Sequence, residues 1–284
     1  MGDRKGVIDP LAPNLPSCEA KDASNHGAVM AVSFNSIWIV GASTGIGRAT
    51  ALEFARAGVT VFASARRAPL LDELAAEAPA GRIIPVPVDA ADREAMLAAY
   101  ARIQAEHGTP EALLFAAAQS APEIGSQAVA PVLAPMFELN VHGCLHMLEA
   151  GLPALRAQGR GRVAIISSVA GFRGLPRALA YGASKAALTH IAEALWFECK
   201  RDGVTVQVIH PGFVKTPLTD KNDFPMPCLM RVEDAARRIV SGMERRQFEI
   251  TFPRRFTILL KLLRVLPYWI YLPMVARATR NMVR

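Results

Sequence analysis

Ile37-Trp38-Ile39-Val40-Gly41-Ala42-Ser43-Thr44-Gly45-Ile46-Gly47 joins four apolar residues to a turn that carries three glycines. The apolar run reads as a buried strand and the residues beyond the turn as the start of a helix. The glycines therefore lie where the chain reverses. Glycine removes the Cβ atoms that would block a close approach. Backbone N–H groups there, with the positive end of the following helix, form a cradle for a pyrophosphate. Three glycines alone are common in loops, but between a strand and a helix they point to a dinucleotide site.

Outward from this segment, short apolar runs alternate with longer helical ones, which predicts repeated βαβ units around a parallel sheet. The first strand is expected over 37–40 and the first helix over 47–57. Further strands are expected at 59–64, 83–88, 112–116, 162–167 and 204–209, and the clearest helices at 70–78, 93–107, 132–158 and 181–201. Pro85 and Pro87 cannot donate to a ladder, so the third strand belongs on a sheet edge. That agrees with the order 3-2-1-4-5-6 of a doubly wound, Rossmann-type parallel sheet. The expected organisation is one α/β domain over residues 36–252. It is preceded by a mobile extension (1–35), rich in Pro, Asp, Asn and Ser, and followed by a basic amphipathic tail (253–284). Met30 offers a second candidate start.

A chain of 284 residues, half of them apolar, can bury a sizeable core, which excludes global disorder. Cys18, Cys144, Cys199 and Cys228 are widely separated, against a zinc ribbon, a redox dithiol or a disulfide scaffold, and a reducing cytoplasm is expected. Asp3, Asp9 and three prolines occupy the first sixteen residues, where a secretory signal needs a continuous apolar run. The net charge of +7 resides wholly in the tail, where Arg254, Arg255, Lys261, Arg264, Arg277, Arg280 and Arg284 stand with no acid. The body sums to zero, so no nucleic-acid partner is expected.

Ala65-Arg66-Arg67 ends the second strand, where an NAD site usually places an acid for the ribose 2′-OH. A carboxylate would repel a 2′-phosphate and a guanidinium can bind it bidentately, so NADP is the expected cofactor. Solvated arginines after a strand are the plain alternative. Asp89, ending the third strand, is a candidate acceptor for the adenine amino group, or a loop cap.

Tyr181 and Lys185 lie four apart on a helix and hence on one face, thirteen residues beyond Ser168. A phenol near pKa 10 is a poor base at neutral pH, and a neighbouring ammonium stabilises its phenolate. Such a pair suits acid/base work, although a packed tyrosine with a snorkelling lysine would look the same in isolation. His142 and His146 are also four apart, but no third ligand stands near them; packing or interface histidines are the better reading and no metal is expected.

Together these motifs resemble the short-chain dehydrogenase/reductase family over about residues 37–218. The glycine turn, Gly41 through Ser43, Thr44, Gly45, Ile46 and Gly47, matches the family's cofactor motif, with Val40 where Thr is usual. Ile166-Ser167-Ser168 with Ala170-Gly171 matches the strand-five segment, placing Ser168 at the catalytic serine and Tyr181 and Lys185 at the matching pair. Asn140 matches the helix asparagine that holds a relay water, and Pro211, Gly212 and Thr216 match the segment closing over the nicotinamide amide. One departure stands out. The family's Asn-Asn-Ala-Gly after strand four, whose asparagine side chains help fix the strands near the cofactor, is replaced by Ala116-Ala117-Ala118-Gln119, with Ala117 at the cofactor's edge.

The resemblance implies that Tyr181 donates a proton to a substrate carbonyl as hydride arrives, while Ser168 holds the oxygen. Lys185 would depress the tyrosine pKa and bind the nicotinamide ribose. A carbonyl reductase acting on an apolar or lipid-like substrate, as a homodimer or homotetramer, is the expected function. Oxidation of a steroid-like or small polar alcohol, or a non-catalytic dinucleotide sensor or scaffold, are the alternatives. The irregular stretch 217–230, apolar in its second half, matches the family's mobile substrate lid. In the tail, Ile258, Leu259, Leu262, Leu263 and Leu266 are expected on one side of a helix, with Lys261 and Arg264 on the other. Either it lies on a membrane surface, making the protein peripheral there, or it packs on its own domain or a partner. Its charges and prolines argue against a span.

Overall fold

The structure is a computed structural model that describes residues 31–120 and 129–280; the extension expected over 1–35 lies outside it as far as residue 30. Seven strands form one parallel sheet in the order β3-β2-β1-β4-β5-β6-β7. They are β1 Ser36–Val40, β2 Thr60–Ser64, β3 Ile83–Pro85, β4 Ala112–Phe115, β5 Gly161–Ile166, β6 Val204–Pro211 and β7 Glu249–Phe252. The helices are α1 Gly45–Arg56, α2 Ala68–Glu77, α3 Arg93–His107, α4 Val129–Phe137, α5 Gly143–Ala157, α6 Leu179–Cys199, α7 Val232–Glu244, α8 Arg254–Arg264 and α9 Tyr268–Ala278.

Alternation along each strand divides the core in two. Ile37 and Ile39 point to one face, where Phe54, Leu71, Leu74 and Met243 bring in α1, α2 and α7. Trp38 and Val40 point to the other, where Met96, Met147, Leu155 and Leu188 bring in α3, α5 and α6. Both faces are covered, which is why the strands read as continuous apolar runs.

The edge position of β3 follows from its prolines. Val86 and Val88 donate to the carbonyls of Ala63 and Ala65 (2.8 and 3.0 Å), while Pro85 and Pro87 alternate with them and have no N–H to lose. The regular strand is therefore shorter than the expected 83–88, although the chain stays in register beyond it. The strand missed from sequence is β7. Glu249-Ile250-Thr251-Phe252 is too short and too polar to stand out, but it buries Ile250 and Phe252 and pairs with β6 from Val208↔Glu249 to Pro211↔Phe252. The long helix expected over 132–158 is α4 and α5 joined through a π-helical turn, Glu138–His142, that contains Asn140.

Candidate active site

Because the strands are parallel, the exits of β1, β4, β5 and β6 lie along one edge of the sheet. The pairings Val40↔Phe115, Phe115↔Ile165 and Ile166↔Ile209 place Gly41, Ala116, Ser167 and Pro211 in sequence along it. The strand order reverses between β1 and β4, the crevice where such sheets take ligands.

Gly41 has φ +97°, and a Cβ there would lie 2.3 Å from the backbone nitrogen of Ala117. The β1 turn thus lies directly against the β4 exit, and only glycine allows it. Thr44 caps α1 without a side-chain bond, and the first turn holds no acid, so N–H groups at this helix start remain for an outside anion. Ile46 is half-buried against the core and anchors the turn. At the end of β2, Arg66 and Arg67 are exposed and Arg67 reaches Ser43 Oγ at 3.4 Å. Asp89 accepts from Ala91 N (3.0 Å) and stands 3.9 Å from Arg66, so its carboxylate already serves as a turn cap.

The departure after β4 is compensated from α5's approach. Asn140, fully buried, accepts from Gln119 N (2.8 Å) and donates to Gln119 O (3.1 Å) and Ser184 Oγ (3.0 Å). One amide side chain therefore fixes the β4 exit and ties it to α6.

Ser168 caps a short 3-10 turn through Ala170 N (3.1 Å), and its hydroxyl is bonded to Tyr181. Burial pushes the Tyr181 phenol above its ordinary value, and the Ser168 bond offsets only part of that. Lys185 Nζ donates to Ile166 O (2.9 Å) and lies 5.7 Å from the Tyr181 ring centre. Its burial lowers its pKa to about 8, with Cys144 acting weakly the other way. The expected depression of the tyrosine by Lys185 is thus not the governing effect here: desolvation raises the phenol. Gly171 lets the serine turn sit on α6, since a Cβ there would come 2.7 Å from Lys185 C.

Sequence reasoning gave His210 no role. Its Nε2 pairs with Thr189 Oγ1 (3.1 Å), which meets Ser167 Oγ (2.8 Å), and Ser167 donates to Lys185 O (2.7 Å). On the other side His210 Nδ1 meets Glu249 (2.9 Å), which also binds Lys261 of α8. A buried polar chain thus runs from the tail to the backbone of the helix bearing Tyr181. Thr189, His210, Glu249 and Lys261 are far apart in sequence, and no motif signals them. His142 instead pairs with Glu138, and His146 with Ala90 O.

The loop 215–230 is pinned at its base by Lys215 N to Met230 O and Met230 N to Phe213 O (both 2.9 Å). Arg177 latches it through Asp223 (2.7 Å), holding that carboxyl below its ordinary range, and stacks toward Phe224. Thr216 lies against Gly45, 3.3 Å from where a Cβ would stand. Cys144 and Cys199 are buried free thiols.

The family model for short chain dehydrogenases matches residues 35–225. This chain belongs to the short-chain dehydrogenase family. An uncharacterized oxidoreductase of Myxococcus xanthus is 37% identical to this chain over 238 residues, 83% of this chain and 94% of that protein. A short-chain dehydrogenase of Streptomyces avermitilis has a similar structure, with TM-score 0.74 and 27% identity, covering 87% of this chain and 99% of that one. A short-chain dehydrogenase of Sphingobium yanoikuyae in complex with NADPH shares the fold at TM-score 0.71 and 23% identity, over 88% and 96% of the two chains. The chain is thereby an oxidoreductase of this family.

Proposed function

We propose that this protein uses NADPH to reduce a ketone or aldehyde carried on an apolar, lipid-like substrate. The observation that carries this reading is the Tyr181 hydroxyl, bonded to Ser168 and set beside a buried Lys185, on the sheet edge that also bears the Gly41 turn. Bound in the cradle, the reduced nicotinamide would supply the hydride.

The residues fit that cofactor. The open start of α1 and the Gly41–Ala117 contact suit a pyrophosphate, and Ser43, Arg66 and Arg67 present donors for a 2′-phosphate that NAD lacks. The NADPH found with the Sphingobium protein agrees with this. With its pKa raised, Tyr181 is protonated at neutral pH and acts as the acid that donates to the carbonyl oxygen. Ser168 aligns that oxygen. Lys185, titrating at about 8, still carries its charge at neutral pH and stabilises the phenolate left behind. Both amide hydrogens of Asn140 are committed, so the second lone pair of its Oδ1 is the side-chain position left for a relay water. An open apolar groove of about 530 Å³ between α5 and α6, lined by Leu145, Leu148, Leu152 and Ile191, supports pairing with a second copy.

Titration with NADPH and NADH, followed by tryptophan fluorescence, tests the reading. Preference for NADPH that Arg66→Asp abolishes is expected, together with ketone-dependent NADPH oxidation that Tyr181→Phe removes while cofactor still binds. Binding of neither cofactor refutes it and favours a scaffold.

A further inference from the structure

Helix α8 departs from its sequence pattern at Lys261 and along one apolar stripe, while Arg264 stays exposed and Leu263 and Leu266 half-buried as expected. Lys261, expected outside, turns inward to Glu249; Thr257 is fully buried; and Phe256 packs on Phe213 with ring centres 5.8 Å apart. Ile258, Leu262 and Val265, at i, i+4 and i+7, form a stripe on the outer side. Val265 is 78% and Trp269 77% exposed, so the fold itself covers neither.

This orientation is held firmly. Arg173 donates to the carbonyls of Leu263, Arg264 and Leu266 (3.1, 3.1 and 2.5 Å), capping the C-terminus of α8. Its guanidinium lies 4.5 Å from the Tyr268 ring centre and 4.0 Å from that of Tyr271, and Tyr271 donates to Gly174 O (2.8 Å). With those contacts made, the apolar stripe cannot turn inward.

Charge decides what covers it. Arg254, Arg255, Arg264, Arg277 and Arg280 stand on and just beyond these helices with no acid among them. A second copy applied through the same face would set arginines against arginines. A layer with anionic headgroups above an apolar interior meets both demands, and Tyr268 and Trp269 are the side chains that favour that depth. Each of these helices has eleven residues, and none among the described residues is long and apolar enough to cross a membrane.

We propose that the outer face of α8 and α9 lies on an anionic phospholipid surface. Two features tie that face to the candidate active site: Arg173, which holds the tail, follows Ser168 by five residues, and Phe213, under Phe256, also meets Phe224 of the 215–230 loop (6.1 Å). Docked this way, the loop borders the lipid, and a carbonyl compound dissolved in the bilayer is the substrate class admitted. That last step rests on the reductase reading; the docking does not.

The test is sedimentation of the full chain with vesicles of phosphatidylcholine, alone or mixed with phosphatidylglycerol, which needs no turnover. Retention on the anionic vesicles only is expected. Arg254→Gln with Arg255→Gln should weaken it roughly 25-fold, taking each surface arginine as about 5-fold. Leu262→Ser with Val265→Ser should weaken it as well, with the unfolding midpoint of every variant unchanged. Wild-type binding should fall when salt near ~1 M shortens the screening length to ~3 Å, which needs no variant. Retention on neither vesicle, on both equally, or undiminished in the arginine pair overturns the proposal. So does a doubled mass in light scattering that Leu262→Ser abolishes, which assigns the face to a second copy.

Discussion

Lys185→Met exposes the cost of keeping an ammonium under the active site. The folded protein holds that group at a pKa of about 8, against 10.5 for the ordinary side chain, because burial disfavours the charge and Ile166 O is the acceptor within reach. Between those two values the unfolded chain binds more protons than the folded one, so stability rises with pH across that window. At about 1.4 kcal/mol per pH unit, the wild type recovers about 3 kcal/mol between pH 8 and 10.5. Methionine, similar in length and without charge, has nothing to recover. Burial raises Cys144 to about 12 and also raises Cys199, and these thiols pull the other way, their contribution falling as pH climbs past 9. They are common to both proteins and largely cancel in the difference. Urea unfolding of wild type and variant in steps from pH 7 to pH 10 is the assay. The wild-type free energy minus that of the variant should be level below pH 8 and then climb. An offset in favour of wild type is compatible with this, because the variant leaves Ile166 O unpaired at about 1–3 kcal/mol. A difference that stays level through pH 10 would refute the burial argument, whatever its sign at pH 7.

Gly171→Ala should cost about 2–3 kcal/mol, because the new Cβ meets backbone at 2.7 and 2.8 Å and neither Lys185 C nor Ala186 N can move aside. The proposed carbonyl reduction should fall on the order of 100-fold as Ser168 is pushed off α6, while cofactor affinity, measured by fluorescence, changes little. Glu249→Gln acts at the other end of the polar chain. Burial alone would raise that carboxyl, but His210 and Lys261 outweigh it and bring it to about 2. Its stabilisation is therefore present above the ordinary 4.5 and lost as pH falls toward 2, so the variant should lose about 2 kcal/mol at neutral pH and show a flatter acid limb in urea unfolding.

Legibility in the sequence followed the range of the interaction. The Gly41 turn, Ser168, Tyr181 and Lys185 were readable because each motif is local and its chemistry needs particular residue types at a set spacing. Pro85 and Pro87 placed β3 at an edge because a missing N–H is a property of the residue itself. The clamp of Asn140 on Gln119 was not readable, since its two sides lie 21 residues apart and the bond is to backbone, which any residue type would present. The same holds for Thr189, His210 and Glu249, each unremarkable alone.

By itself the sequence determined the doubly wound sheet and the exit edge where the candidate site gathers, and it marked the positions that match the family's motifs, since periodicity and motif are written into the order of residues. Tertiary structure alone decided what the tail presents. A helix has several faces, and the one it buries depends on what its neighbours supply. Here Glu249 on β7 draws Lys261 inward and Arg173 seizes the end of α8, so the stripe of Ile258, Leu262 and Val265 is turned outward.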